Sequence, residues 1–181
     1  LWGDDWDLYD DDFEDLDFDP SRIDSIVFVG MGGSNLAAEV IRSVSPFLLS
    51  TPFEVVANYR LPVYADKKTL VILSSYSGDT EEVISCAQES LSKGCLSVCI
   101  TTGGPLRELA LKEKLSLIEL DEKYNPSKTP RTGICLSLGA TIGLLVRLNP
   151  TAKQHFNLKN IVETIDRLID TNNPHRSSSD N

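Results

Sequence analysis

The segment Ser74-Ser75-Tyr76-Ser77-Gly78-Asp79-Thr80 carries the densest donor chemistry in the chain. Hydroxyls at Ser75, Ser77 and Thr80 surround a flexible Gly78, and the residues that follow have helical spacing, so unpaired backbone N–H groups should open a helix at the same place. A phosphate asks for several O–H and N–H donors converging on its oxygens with nothing bulky between them, and this turn meets that need without a Lys or Arg. The competing reading is an ordinary capped turn, with Asp79 or Thr80 as N-cap and Glu82 serving the first-turn amides. Caps rarely require so many hydroxyls, so anion binding is the favoured reading. Two other turns offer related chemistry, Gly30-Met31-Gly32-Gly33-Ser34 and Thr101-Thr102-Gly103-Gly104. The first approximates the Gly-x-Gly-x-x-Gly dinucleotide fingerprint, but Asn35 stands where the last glycine belongs and no clear acidic ribose ligand follows the second strand. A nicotinamide site is therefore the weaker alternative. Gly32 and Gly33 more simply let a ligand approach the backbone, with Ser34 as another donor.

These turns converge only if each ends a parallel strand at one edge of a sheet, where helix N-termini and their dipoles point at a ligand. The spacing supports that arrangement. From residue 25 onward, short β-branched runs alternate with helical patterns, as in βα units around a mostly parallel sheet. Strands are expected over 26–29, 53–57, 69–73, 97–100 and 116–120, and helices over 35–44, 81–93, 106–112 and 132–148. In the first helix Leu36, Val40, Ile41 and Val44 are expected on the core face, and Pro46 in the loop beyond it. Gly94 is a fitting stop for the second helix, and Pro105 a good first residue for the third. A final amphipathic helix is expected over 158–169, followed by a polar linker over 172–181. The expected organisation is an acidic leader (1–22), one α/β domain (23–150), the C-terminal helix (151–171) and the linker.

The net charge of -10 belongs almost entirely to the leader: residues 1–24 hold 11 of the 27 acids and one base, Arg22, which leaves the remainder electroneutral. Such a stretch repels nucleic acid and anionic lipid, so neither is an expected partner. Its Trp2, Trp6, Leu8, Tyr9, Phe13, Leu16 and Phe18 suit docking, but a solvated leader is the favoured reading. No apolar run is long enough for a membrane span, and no signal peptide opens the chain. Cys86, Cys95, Cys99 and Cys135 form no Cys-x-x-Cys pair and lack zinc-ligand spacing, which favours buried free thiols in a reducing cytoplasm and no metal.

The turns together resemble the SIS (sugar isomerase) domain family, in particular the first half of bifunctional phosphoglucose/phosphomannose isomerases. The likeness rests on Gly30-Met31-Gly32-Gly33-Ser34, Ser75-Tyr76-Ser77-Gly78-Asp79-Thr80-Glu81-Glu82, Thr101-Thr102-Gly103-Gly104-Pro105-Leu106 and Pro130-Arg131, in that order and spacing. It implies a flavodoxin-like three-layer αβα sandwich with a five-stranded sheet, paired with a second SIS domain of the same polypeptide in a homodimer. It further implies that Ser34, Ser75, Ser77 and Thr80 bind the phosphate of a hexose 6-phosphate, with Gly33 framing the approach and no cofactor. Arg131 would face the reacting carbons, where its fixed charge suits a developing enediolate; the other reading of Arg131 is a surface ion pair. Asp79 stands where Asn is usual in the family, and its charge is tolerable as a helix cap but costly if it faces the anion. The family's catalytic glutamate, histidine and lysine come from the second half, so the chain is expected to be an excerpt that stops in the linker. A non-catalytic sugar-phosphate sensor is the alternative function.

Overall fold

The computed structural model describes residues 19–149 together with Thr164 and Arg167. The leader over 1–18 and the linker over 172–181 lie outside the described residues, as does the expected final helix apart from Thr164 and Arg167, both of which are helical.

A 3-10 turn, Pro20–Arg22, is capped by Asp19 and leads into strand β1, Ser25–Gly30. Then follow α1 (Gly32–Leu48), β2 (Phe53–Val56), β3 (Thr69–Ser74), α2 (Glu81–Lys93), β4 (Leu96–Thr101), α3 (Gly104–Glu113), β5 (Ser116–Glu119), a second 3-10 turn (Glu122–Tyr124) and α4 (Ile134–Leu148). The five strands form one all-parallel sheet in the order β2-β1-β3-β4-β5. Phe28 is in register with Val55 on one side and Ile72 on the other, and Ile100 with Ile118.

Continuous apolar runs place strand side chains on both faces, which a sheet tolerates only when both are covered. Ile26, Phe28, Leu70, Ile72, Val98 and Ile100 pack with Ala38 and Ile41 of α1 and Ala140 and Leu144 of α4. On the other face Val27, Val29, Val71, Leu73 and Cys99 pack with Val83, Cys86 and Ala87 of α2 and Leu106 and Ala110 of α3. The result is the expected αβα sandwich. The chain winds one way from β1 to β2 and the other way from β3 to β5, so the topological switch point lies between β1 and β3.

Three expectations change. Helix α1 begins three residues early, and its inward stripe is Ala37, Ala38, Ile41 and Ser45, while Leu36 and Val40 are each 46% exposed and Val44 36%. The small side chains let α1 lie close to the sheet and to α4, and the larger ones at i, i+4 and i+8 fall on the neighbouring stripe. Pro46 lies inside α1 rather than in a loop. It cannot donate to the carbonyl of Arg42, but the Ser45 hydroxyl does so at 3.0 Å, which offsets the lost bond. Finally, Cys86 and Cys99 are buried and Cys95 is half-buried, but Cys135 is exposed on α4.

Candidate functional site

The carboxyl ends of β1, β3 and β4 are neighbours in the sheet, so residues 30–34, 74–80 and 101–104 meet at one edge. Glycines let them meet closely. Gly78 has φ +77, and a Cβ there would lie 1.8 Å from the Gly103 carbonyl oxygen; at Gly104, φ +69, it would lie 2.4 Å from that of Ser77. The second and third turns are therefore pressed backbone to backbone. They are joined by hydrogen bonds from Leu106 N to Gly78 O (2.9 Å) and Thr102 N to Tyr76 O (3.0 Å).

Each predicted donor has a definite place. Ser34, 5% exposed, accepts from the Tyr76 amide through Oγ at 3.1 Å, which leaves its own proton to donate. Ser75, 1% exposed, accepts from Gly78 N at 3.0 Å and shares a 2.7 Å hydrogen bond with Thr80 Oγ1, so this pair retains one hydroxyl proton to donate elsewhere. Ser77 is exposed, and its hydroxyl donates to Asp79 Oδ1. Thr80 is N-cap of α2 by position but makes no side-chain capping bond, and Asp79 does not cap the helix either. Of the capped-turn reading, Thr80 does stand at the N-cap but makes no side-chain cap, and the hydroxyls of Ser75 and Thr80 brace the turn. Asp79 is exposed and holds the Ser77 hydroxyl.

Arg131 is brought in by the long loop after β5. At Gly33 a Cβ would lie 2.9 Å from Pro130 C and 3.0 Å from Arg131 N, so the loop backbone rests directly on the first turn of α1. Ninety-eight residues of sequence separate these positions, and only the fold joins them. Arg131 is exposed and takes part in no ion pair among the described residues. Among those residues the alternative assignment to a surface ion pair finds no partner.

Four residues had been given no role of their own. Tyr76, 4% exposed, accepts from Asn125 Nδ2 at its phenol oxygen (2.7 Å), and Asn125 is itself 2% exposed. Tyr76 was visible within the motif, but nothing local marked Asn125. Asn35 Oδ1 and Ser74 Oγ are buried without a hydrogen-bond partner, one in the first turn of α1 and the other at the end of β3. Buried polar atoms are ordinarily paired, and these two unpartnered ones flank the switch point. A cleft of about 230 Å³ lies at the opposite edge, lined by Ile23, Ile26, Leu49, Leu148 and Asn149, far from this chemistry.

The shifted carboxylates all lie below the ordinary range: Asp19 through the Ser21 hydroxyl, Glu89 through the Leu61 amide and Asp121 through Lys123. Burial pushes the Cys86 thiol up to about 11 and Cys99 to about 12, which makes both inert. Among the described residues no cluster of His, Cys, Asp and Glu could hold a metal ion, and no helix is long and apolar enough to cross a membrane.

Fold and site together define a doubly wound, flavodoxin-like α/β domain with a hydroxyl- and amide-rich edge at its switch point. The chain belongs to the SIS domain family, whose model matches residues 21–135. It is 41% identical over 104 residues to the bifunctional phosphoglucose/phosphomannose isomerase of Caldicellulosiruptor bescii, covering 58% of this chain and 31% of that protein. It is 34% identical over 116 residues to the protein of the same name from Aquifex aeolicus, covering 64% and 36%. The fold is similar to the crystal structure of tagatose-6-phosphate ketose/aldose isomerase from Escherichia coli, with a TM-score of 0.61 at 17% identity over 90% of this chain and 48% of that one. The chain spans about a third of the length of the curated relatives it matches.

Proposed function

We propose that this chain is the sugar-phosphate-binding half of an aldose-ketose isomerase that interconverts glucose 6-phosphate or mannose 6-phosphate with fructose 6-phosphate. The observation that carries this reading is the seating of the Pro130–Arg131 backbone on Gly33, which brings Arg131 to the sheet edge where the turns of hydroxyl and amide donors meet. The relatives' names agree with it. Ser34, Ser75, Ser77, Thr80 and the first-turn amides of α2 hold the phosphate. Arg131 stabilises the enediolate oxygen that forms when a base carries a proton between C1 and C2. That base and the ring-opening group belong to a second SIS domain and to a homodimer partner, a division supported by the chain's spanning about a third of the relatives' length. The same observation favours one other reading, a non-catalytic sugar-phosphate sensor.

Calorimetry of the chain with fructose 6-phosphate should show binding, and with NAD none; a preference for NAD overturns the assignment. In the longer polypeptide that carries this sequence, Arg131→Ala should lower kcat for fructose 6-phosphate formation by about 100-fold or more. Binding without turnover in the wild type would leave the sensor standing and remove the isomerase.

A further inference from the structure

We propose that Tyr76 and Asn125 are positioning residues that fix the Arg131 loop against the anion-binding turn, an inference that rests on the sugar-phosphate reading of the site. Arg131 is carried by residues 121–133, a segment whose regular structure is one short 3-10 turn. A long cation on such a loop would have to be ordered in every turnover unless something holds its backbone beforehand.

Asn125 is that holder. Its Nδ2 donates to Tyr76 Oη at 2.7 Å and to the Thr129 carbonyl at 2.9 Å, and its Oδ1 accepts from Thr132 Oγ1 at 2.7 Å and from Ser127 Oγ at 3.0 Å. A carbonyl only accepts, so the amide cannot be turned over, and both donors and both acceptor sites are used. Residues on each side of Arg131 are thus tied to one buried side chain. Backbone bonds from Lys128 N to Asn125 O (2.8 Å) and Gly133 N to Thr129 O (3.1 Å) close the loop.

The far end of the tie explains why it bears on chemistry. Tyr76 lies within the anion-binding turn: its amide donates to Ser34 Oγ, and its carbonyl accepts from the amide and, at 2.7 Å, the hydroxyl of Thr102. Its ring lies against Gly133, where a Cβ would come within 2.5 Å of Cε2. One residue therefore touches all three turns and the loop. An anchor for loop stability alone had many core atoms to reach; this one reaches the side chain whose backbone helps build the anion site.

Two variants test the pair, Asn125→Ala and Tyr76→Phe, the second keeping the ring and hence the packing. Hydrogen exchange of the wild-type chain and both variants reads the loop directly: the Lys128, Thr132 and Gly133 amides should exchange at least about fivefold faster in each variant. Inorganic phosphate should bind the variants within about twofold of wild type. In the longer polypeptide, kcat with fructose 6-phosphate should fall about 10- to 100-fold while KM stays within about twofold. Loop amides as slow as in the wild type overturn the proposal, as does a joint fall of kcat and phosphate affinity, which would make the pair a prop for the turn. If Asn125→Ala does not fold, Tyr76→Phe decides. A wild type without turnover removes the isomerase reading, and the exchange and phosphate measurements then judge the positioning by themselves.

Discussion

Replacing Gly78 and Gly94 by alanine separates the cost of a backbone conformation from the cost of prising two turns apart. Both glycines are left-handed, with φ +77 and φ +66, so each alanine carries a similar conformational penalty of about 1 kcal/mol. At Gly94, the C-cap of α2, the new Cβ meets nothing within 4 Å, and the penalty is the whole effect. At Gly78 it would stand 1.8 Å from Gly103 O and 2.9 Å from Thr101 Oγ1. Carbon and oxygen need about 3 Å or more, so the β3 and β4 turns must separate by roughly 1 Å. That opening breaks the bonds from Leu106 N to Gly78 O and from Thr102 N to Tyr76 O, at about 1 kcal/mol each. Gly78→Ala should therefore cost about 3 kcal/mol against about 1 kcal/mol for Gly94→Ala. At roughly 4 °C per kcal/mol for a domain of this size, the Tm falls by about 12 °C and about 4 °C. Thermal and denaturant unfolding of the two variants measure this, with a phosphate titration alongside. Gly78→Ala should weaken phosphate binding at least about tenfold, and Gly94→Ala should leave it alone. Equal destabilisation, or unchanged phosphate affinity in Gly78→Ala, refutes the argument that the two turns form one rigid anion site.

Gly33→Ala sets a helix-propensity gain of about 1 kcal/mol against overpacking of about 1–3 kcal/mol where Cβ meets Pro130 and Arg131. Its stability should stay within about 2 kcal/mol of wild type while turnover in the longer polypeptide falls about 100-fold, since the clash displaces Arg131. Asp79→Asn should tighten phosphate binding about fourfold, the Coulomb term for like charges roughly 5 Å apart in water, and the gain should shrink in salt; unchanged affinity means that Asp79 does not oppose the anion. Burial raises Cys86 to about 11 and Cys99 to about 12 from an ordinary 9, and Tyr64 to about 12 from an ordinary 10. The unfolded chain then loses protons first, so their stability contribution is complete below pH 9 and declines between about pH 9 and 12. Denaturant titrations at pH 8 and 10.5 should show that loss, reduced in Cys99→Ala. Cys135 should be alkylated in the native protein, with Cys86 and Cys99 reacting only on unfolding, as mass spectrometry of the labelled peptides reports.

The sequence by itself determined the layer architecture and singled out the hydroxyl-rich turn at the sheet edge. Runs such as Ile26-Val27-Phe28-Val29 have no polar face, which commits them to a parallel sheet covered on both sides, and Gly94 marks the end of α2 because few other residues adopt its conformation cheaply. Ser75, Ser77 and Thr80 were legible because their chemistry and their spacing are both local. Only the tertiary structure decided which stripe of α1 is buried: Leu36, Val40 and Val44 are as apolar as a core stripe, and close approach to the sheet and α4 selected the alanines instead. It alone placed Arg131 beside Gly33, because the contact spans 98 residues and rests on a missing side chain rather than a present one. It alone gave Asn125 a role. An asparagine in a polar loop has no local signature of burial, and its four hydrogen bonds exist only once Tyr76, in the very turn that the sequence singled out, has been folded beneath it.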